Sequence, residues 1–152
     1  GEGHDHNLIS MMPSLTSLIA RETGPKAMAK AGISHDDIDL TMIYDSFTYT
    51  VMLTLESLGF CARGEAADFV ANQRTAPGGD FPLNTAGGGL SYTHPGMYGS
   101  FLLVEAVRQL RGEAGARQVH KKGTTDQNPQ ISLVNGTGGS LSSTGTVVLG
   151  TG

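Results

Sequence analysis

Tryptophan is missing from this chain, and cysteine occurs once, at Cys61. A single thiol rules out an internal disulfide and a cysteine-rich zinc site. Charge is sparse: Asp, Glu, Lys and Arg make up 16% of residues, the formal net charge is -4 and the pI is about 5.6. No basic stripe with interleaved aromatics runs through the sequence, so nucleic acid is not an expected partner. Lys121-Lys122 is a short positive spot of the kind a solvated turn carries. No apolar run approaches the ~20 residues of a membrane-spanning helix, and no signal peptide is visible. A cytoplasmic protein is the expectation. His4, Asp5 and His6 lie close together, but two histidines and an aspartate in one loop are unspecific. Neither a metal nor a tightly bound cofactor is expected.

What is present is glycine, 22 of 152 residues, and enough apolar side chain (38%) for one packed domain. The glycines gather in the second half, at Gly78-Gly79, Gly87 to Gly89 and Gly136 to Gly139. They have no collagen-like period, and such clusters mark loops that turn sharply or approach a ligand closely.

Hydrophobic periodicity supplies the elements. Residues 1–13 read as an irregular entry. Leu15, Leu18, Ile19, Met28 and Ala31 recur at helical spacing over 14–31, with Gly24-Pro25 as a break or restart and Gly32 as the stop. A strand is expected over 39–45, from Leu40, Met42, Ile43 and Tyr44. A helix then follows over 46–58, capped by Ser46 or Asp45 and ended by Gly59. Further readings are a short helix at 66–72, a loop at 73–82, a glycine-rich polar stretch at 84–99 and a helix at 98–111. A polar loop at 112–128 precedes strands at 131–134 and 144–149, joined by a turn over 135–140. The order predicts a layered α/β domain with helices on both faces of a mixed sheet.

Three segments resemble the thiolase superfamily, in its order. Ala31-Gly32-Ile33 with Asp37-Ile38-Asp39 leads to Tyr44-Asp45-Ser46-Phe47, where thiolases have Asn-Glu-Ala-Phe. Asn84 to Gly99 is similar to the family's Asn-x-x-Gly-Gly to Gly-His-Pro-x-Gly loop. Val134 to Gly139 stands in place of its Cys-x-Gly-Gly-Gly loop. Residues 44–65 look most like the sterol-carrier-protein-x type and its lipid-transfer-protein-like relatives, which include aldolases that cleave steroid side chains from acyl-CoA thioesters. The resemblance implies the C-terminal half of a two-half thiolase fold. The N-terminal half lies outside residues 1–152, and the first strand of this half, central to the family's sheet, is expected to be cut off before Gly1. The missing half, or another polypeptide, then completes the fold. The resemblance also implies a homodimer and an OB-fold, zinc-ribbon partner protein. Coenzyme A enters as part of the substrate.

Its chemistry maps onto named positions. His94 matches the histidine of the "HP" loop, and imidazole suits acid–base work near neutrality. The family's proton-shuttling cysteine falls on Asn135 or Gly136, neither of which exchanges a proton there. Asn135 is either an oxyanion donor or a turn-former. Tyr44 replaces the asparagine of an oxyanion hole, and Tyr92 and Tyr98 flank His94. A tyrosine donates to a developing oxyanion, or acts as a tyrosinate base if its pKa is lowered; packing is the alternative for each. Cys61 reads as a buried structural thiol. The expected activity is carbon–carbon bond chemistry on an acyl-CoA, as a retro-aldolase. The alternatives are a true thiolase with its nucleophile on the missing half, or a non-catalytic lipid-CoA-binding subunit.

Overall fold

The computed structural model describes all 152 residues. Four strands, β1 (Glu2–His4), β2 (Leu40–Ile43), β3 (Ile131–Gly138) and β4 (Ser143–Gly150), form one mixed sheet in the order β1-β4-β3-β2. β2 and β3 run parallel, while β3–β4 and β4–β1 are antiparallel. Helices α1 (Ala20–Ala31) and α2 (Thr48–Leu58) are followed by two short ones, α3 (Ala66–Val70) and α4 (Gly88–Ser91), and then by α5 (Gly99–Leu110). This is the α/β class expected from the residue pattern.

Alternation along β2 and β3 sorts the core into two layers. Ile43 and Leu133 face α1 and α2, packing with Leu18, Met28, Leu55 and Leu58. Leu40, Met42, Tyr44 and Val134 face α5, packing with Tyr98, Leu102 and Ala106. All of β2 is buried, which is why it reads as a nearly continuous apolar run.

Several expectations change. α1 starts at Ala20 rather than Ser14. Leu15 is exposed, and the Leu18 N–H donates to Ser57 Oγ at 2.9 Å instead of to a helical carbonyl. Gly24-Pro25 does not break α1. A Cβ on Gly24 would lie 2.7 Å from Leu58 Cδ2, so the glycine lets α1 press onto α2 while proline costs one helical hydrogen bond. The entry segment is not wholly irregular, since residues 2–4 pair with β4. No gap opens in the middle of the sheet: β4, β3 and β2 are contiguous, and β1 adds at an edge. β3 runs on through Gly136 to Gly138, because these residues pair with Gly145, Thr144 and Ser143 of β4. The expected turn over 135–140 therefore shrinks to 139–142.

Behind α5 lies a buried polar knot. Glu105 accepts from Arg117 Nη2 at 2.9 Å, Thr85 Oγ1 at 2.8 Å and Gln109 Nε2 at 3.1 Å. Burial pushes the Glu105 carboxyl up, but hydrogen bonds from Arg117, Thr85 and Gln109 together hold it below its ordinary value. A depressed folded-state pKa adds stability above the unfolded value and loses it as pH falls through the folded one. Glu105→Ala should therefore cost about 1–3 kcal/mol near neutral pH by taking the acceptor from Thr85 and Gln109, while the exposed Arg117 turns to water. Denaturant melts of wild type and variant should draw together as pH falls through the folded-state value, below the ordinary carboxylate one. An unchanged midpoint at pH 7 would contradict this.

Candidate active site

The carboxyl ends of parallel β2 and β3 meet the N-terminus of α5 at one end of the sheet, the usual place for ligands in α/β folds. Tyr44 directly follows β2 and continues the ladder, its N–H donating to the Asn135 carbonyl at 2.9 Å. Period-two alternation with Leu40 and Met42 puts its side chain on the α5 side. There its ring stacks on Tyr98 at 5.9 Å between centroids, and its hydroxyl lies 3.1 Å from His94 Nδ1. Phe47 stands 6.2 Å from the His94 ring. Tyr44, His94 and Tyr98, three of the five candidates read from the sequence, thus come together.

The loop carrying His94 is held by residues whose importance the sequence did not announce. Asp45 does not cap α2. Its carboxylate accepts the Gly89 N–H at 2.6 Å and the Leu90 N–H at 3.1 Å, fastening the first turn of α4. Gly88 (φ 70°) passes so close that a Cβ there would collide with that carboxylate. Asn84 accepts the Ile43 N–H at 2.9 Å and donates to the Ile43 carbonyl at 2.7 Å, a side-chain amide acting as the next strand would. The Tyr44-Asp45 dipeptide therefore both contacts His94 and anchors the turn leading to it.

Electrostatics narrow the tyrosine roles. Tyr44 and Tyr98 are buried, at 6% and 4% exposure. Burial first, then the Asp45 charge, raises both phenols above their ordinary value, with Tyr92 and Glu105 adding to the effect at Tyr98. Burial beside a carboxylate disfavours the tyrosinate form of both phenols. They border a cavity of about 380 Å³ that Gly96, Gly99, Gly136 and Val147 also line.

Asn135 and Tyr92 are placed differently. Asn135 is fully buried and points to the opposite, α1 side of the sheet, where Nδ2 donates to Thr144 and Thr146 Oγ1 at 3.0 and 2.8 Å. Thr146 is bonded in turn to Thr23 of α1 at 2.8 Å. The oxyanion-donor option for Asn135 is corrected by strand alternation: Gly136, one residue on, faces the cavity. Tyr92 is 69% exposed and shares no hydrogen bond or ring stacking with His94; its ring lies against Gly87. Cys61 packs beside the other core layer, with its thiol raised by burial. Near the entry, His6 is bonded to Asp5 Oδ1 at 2.6 Å and the Ser140 carbonyl at 3.0 Å, while His4 meets Ser143 and Asn7.

The strand phase can be tested with thiols. A Cβ on Gly136 meets Gly99 Cα at 3.8 Å, ordinary contact. Gly136→Cys should fold and react readily with a maleimide, whereas Asn135→Cys should stay protected until unfolding. Equal labelling of the two would reverse the assignment.

Comparison with known proteins follows the same lines. Residues 1–151 match the family described as thiolase C-terminal domain-like. A steroid side-chain-cleaving aldolase of Thermomonospora curvata is 47% identical over 91 residues, 59% of this chain and 22% of that protein. A 17-hydroxy-3-oxo-4-pregnene-20-carboxyl-CoA lyase of Mycobacterium tuberculosis is 44% identical over the same fractions. Human sterol carrier protein 2 is 38% identical over 66% of this chain and 19% of its own. The solved structure titled Ltp2-ChsH2(DUF35) aldolase superposes with a TM-score of 0.78 at 33% identity, over 99% of this chain and 37% of that one. The chain thus spans about a fifth of these curated relatives' lengths.

Proposed function

The chain belongs to the thiolase C-terminal domain-like family, and on that premise we propose that its protein cleaves a β-hydroxyacyl-CoA thioester by a retro-aldol reaction, with steroid side chains as the substrate class. The observation that carries this is the Tyr44–His94 pair, 3.1 Å apart, with Tyr44 stacked on Tyr98 and both tyrosines lining a cavity with Gly136, in a loop where neither Asn135 nor Gly136 supplies a thiol. A true thiolase needs a proton-shuttling thiol at that position. Cys61 packs in the other core layer.

Retro-aldol chemistry needs a base for the β-hydroxyl and donors for the enolate oxygen. In the productive tautomer, His94 Nδ1–H donates to the Tyr44 oxygen, leaving the Nε2 lone pair free. Nε2 takes the hydroxyl proton, the β-carbon oxygen becomes a carbonyl and the Cα–Cβ bond breaks. Its electron pair passes into the thioester enolate, whose oxygen accepts from the Tyr44 and Tyr98 hydroxyls. The imidazolium then returns its proton to Cα, giving a shorter acyl-CoA and a free ketone or aldehyde. Tyr92, on the exposed side of the same loop, meets the incoming hydroxyl end.

The test is product analysis with the full-length protein and a steroidal β-hydroxyacyl-CoA. Equimolar ketone and shortened acyl-CoA are expected, without free coenzyme A being consumed. Cleavage that depends on added coenzyme A would identify a thiolase instead. The DUF35 component of the solved relative supports a partner protein of that type; on this reading full turnover requires that partner, and the thiolase-like protein acts as a homodimer. Turnover by the thiolase-like protein alone would remove the partner.

A further inference from the structure

On the other side of the Gly87–Ser91 turn lies a larger trough, about 760 Å³, within the range of small-molecule pockets (about 300–1,000 Å³). Its apolar wall is Val51, Met52, Val70, Pro82, Leu83 and Val119. Most polar side chains on its surface are already engaged within the chain. Asp45 holds Gly89 and Leu90, Asn84 holds Ile43, Thr85 and Arg117 hold Glu105, and Gln118 donates to the Gln109 and Val119 carbonyls. Such groups would lose hydrogen bonds by turning to a ligand, so the trough favours an apolar body. The hydroxyls of Thr48, Thr75 and Ser91 remain for an isolated carbonyl on that body. At the rim the trough touches the candidate site: Gly87, Leu90 and Ser91 belong to the turn leading to His94, and the Tyr92 ring rests against Gly87.

We infer that this trough is the binding site for the fused-ring body of the substrate, on the side of the bond that leaves as a ketone. The acyl-CoA fragment stays at Tyr44, Tyr98 and His94. The inference rests on the retro-aldolase reading for the identity of the ligand, and on the trough's chemistry for its place. The turn Gly87–Ser91, which lines the trough and leads to His94, is where the two parts of the substrate meet.

The experiment uses the full-length protein with its partner. The probe is a 3,17-dioxo-4-ene steroid free of coenzyme A, the ketone that retro-aldol cleavage of a 17-hydroxy-3-oxo-4-ene thioester releases. Ala116 and Ala76 line the trough from different segments, so Ala116→Trp and Ala76→Trp would each fill it without entering the core. Each should weaken probe binding at least 10-fold, measured by calorimetry, and raise KM for the steroidal thioester more than it lowers kcat. Wild-type affinity in a variant of unchanged melting temperature would overturn the site, as would failure of the wild type to bind the probe. Should both variants unfold, photolabelling of the unaltered protein through the enone decides. Label within residues 75–85 or 116–119 supports the trough, and label elsewhere overturns it. Cleavage is scored separately. A protein that binds the probe in the trough yet cleaves no thioester sinks the lyase reading alone. One that cleaves while ignoring both tryptophans sinks only the trough.

Discussion

Tyr44→Phe is expected to lower turnover by about 10²-fold or more, equivalent to about 2.7 kcal/mol of transition-state stabilisation, while the fold survives. The phenylalanine ring keeps the stacking on Tyr98 and the packing against α5; the change removes the hydroxyl that meets His94. KM should move less than kcat, because the enolate oxygen gains its charge on the way to the transition state. The pH profile carries a second expectation. Burial and Asp45 raise the Tyr44 and Tyr98 phenols, so donor loss on the alkaline side should begin only above the ordinary phenol range, about pH 10. Asp45→Asn removes one of those causes and should draw that limb downward. Near-wild-type turnover in a well-folded Tyr44→Phe protein would refute the tyrosine mechanism.

His94→Ala is expected to lose about 10² to 10⁴-fold in turnover, the scale of a general base in acid–base catalysis. His94 is exposed, and its ring is held through Nδ1 by Tyr44 and flanked by Phe47, so truncation should leave the melting temperature nearly unchanged. The pair works as one unit in this mechanism. The double variant Tyr44→Phe with His94→Ala should therefore fall little below the worse single variant, since groups acting together are not additive. Independent, multiplying losses would show that the two contribute separately. Near-normal turnover in His94→Ala would move the chemistry off this part of the protein.

Residue types and order by themselves determined the class of the fold, the buried strand at Leu40–Ile43, the helix ending at Gly59 and the helix over Gly99–Leu110. In each of these, local periodicity and burial agree. The same residues drew Tyr44, His94 and Tyr98 into one candidate set, because they lie in motifs whose order resembles the thiolases. Tertiary structure alone decided which candidates meet. Asn135 and Gly136 are neighbours in sequence, yet strand pairing with β4 sends one toward Thr23 and the other toward the cavity. A pleat reverses direction at every residue, so a loop-like sequence such as Val134 to Gly139 cannot reveal its phase until a partner strand fixes it. Tyr92 is nearer to His94 in sequence than Tyr98 is, but only Tyr98 lies at the buried start of α5. Gly24-Pro25 looked like a break, and α1 runs through it because packing on Leu58 outweighs local propensity. The anchoring role of Asp45 depends on backbone N–H groups more than forty residues away in the chain. Hydrogen bonds of that separation leave no local periodic signal, and only the folded chain brings their partners together.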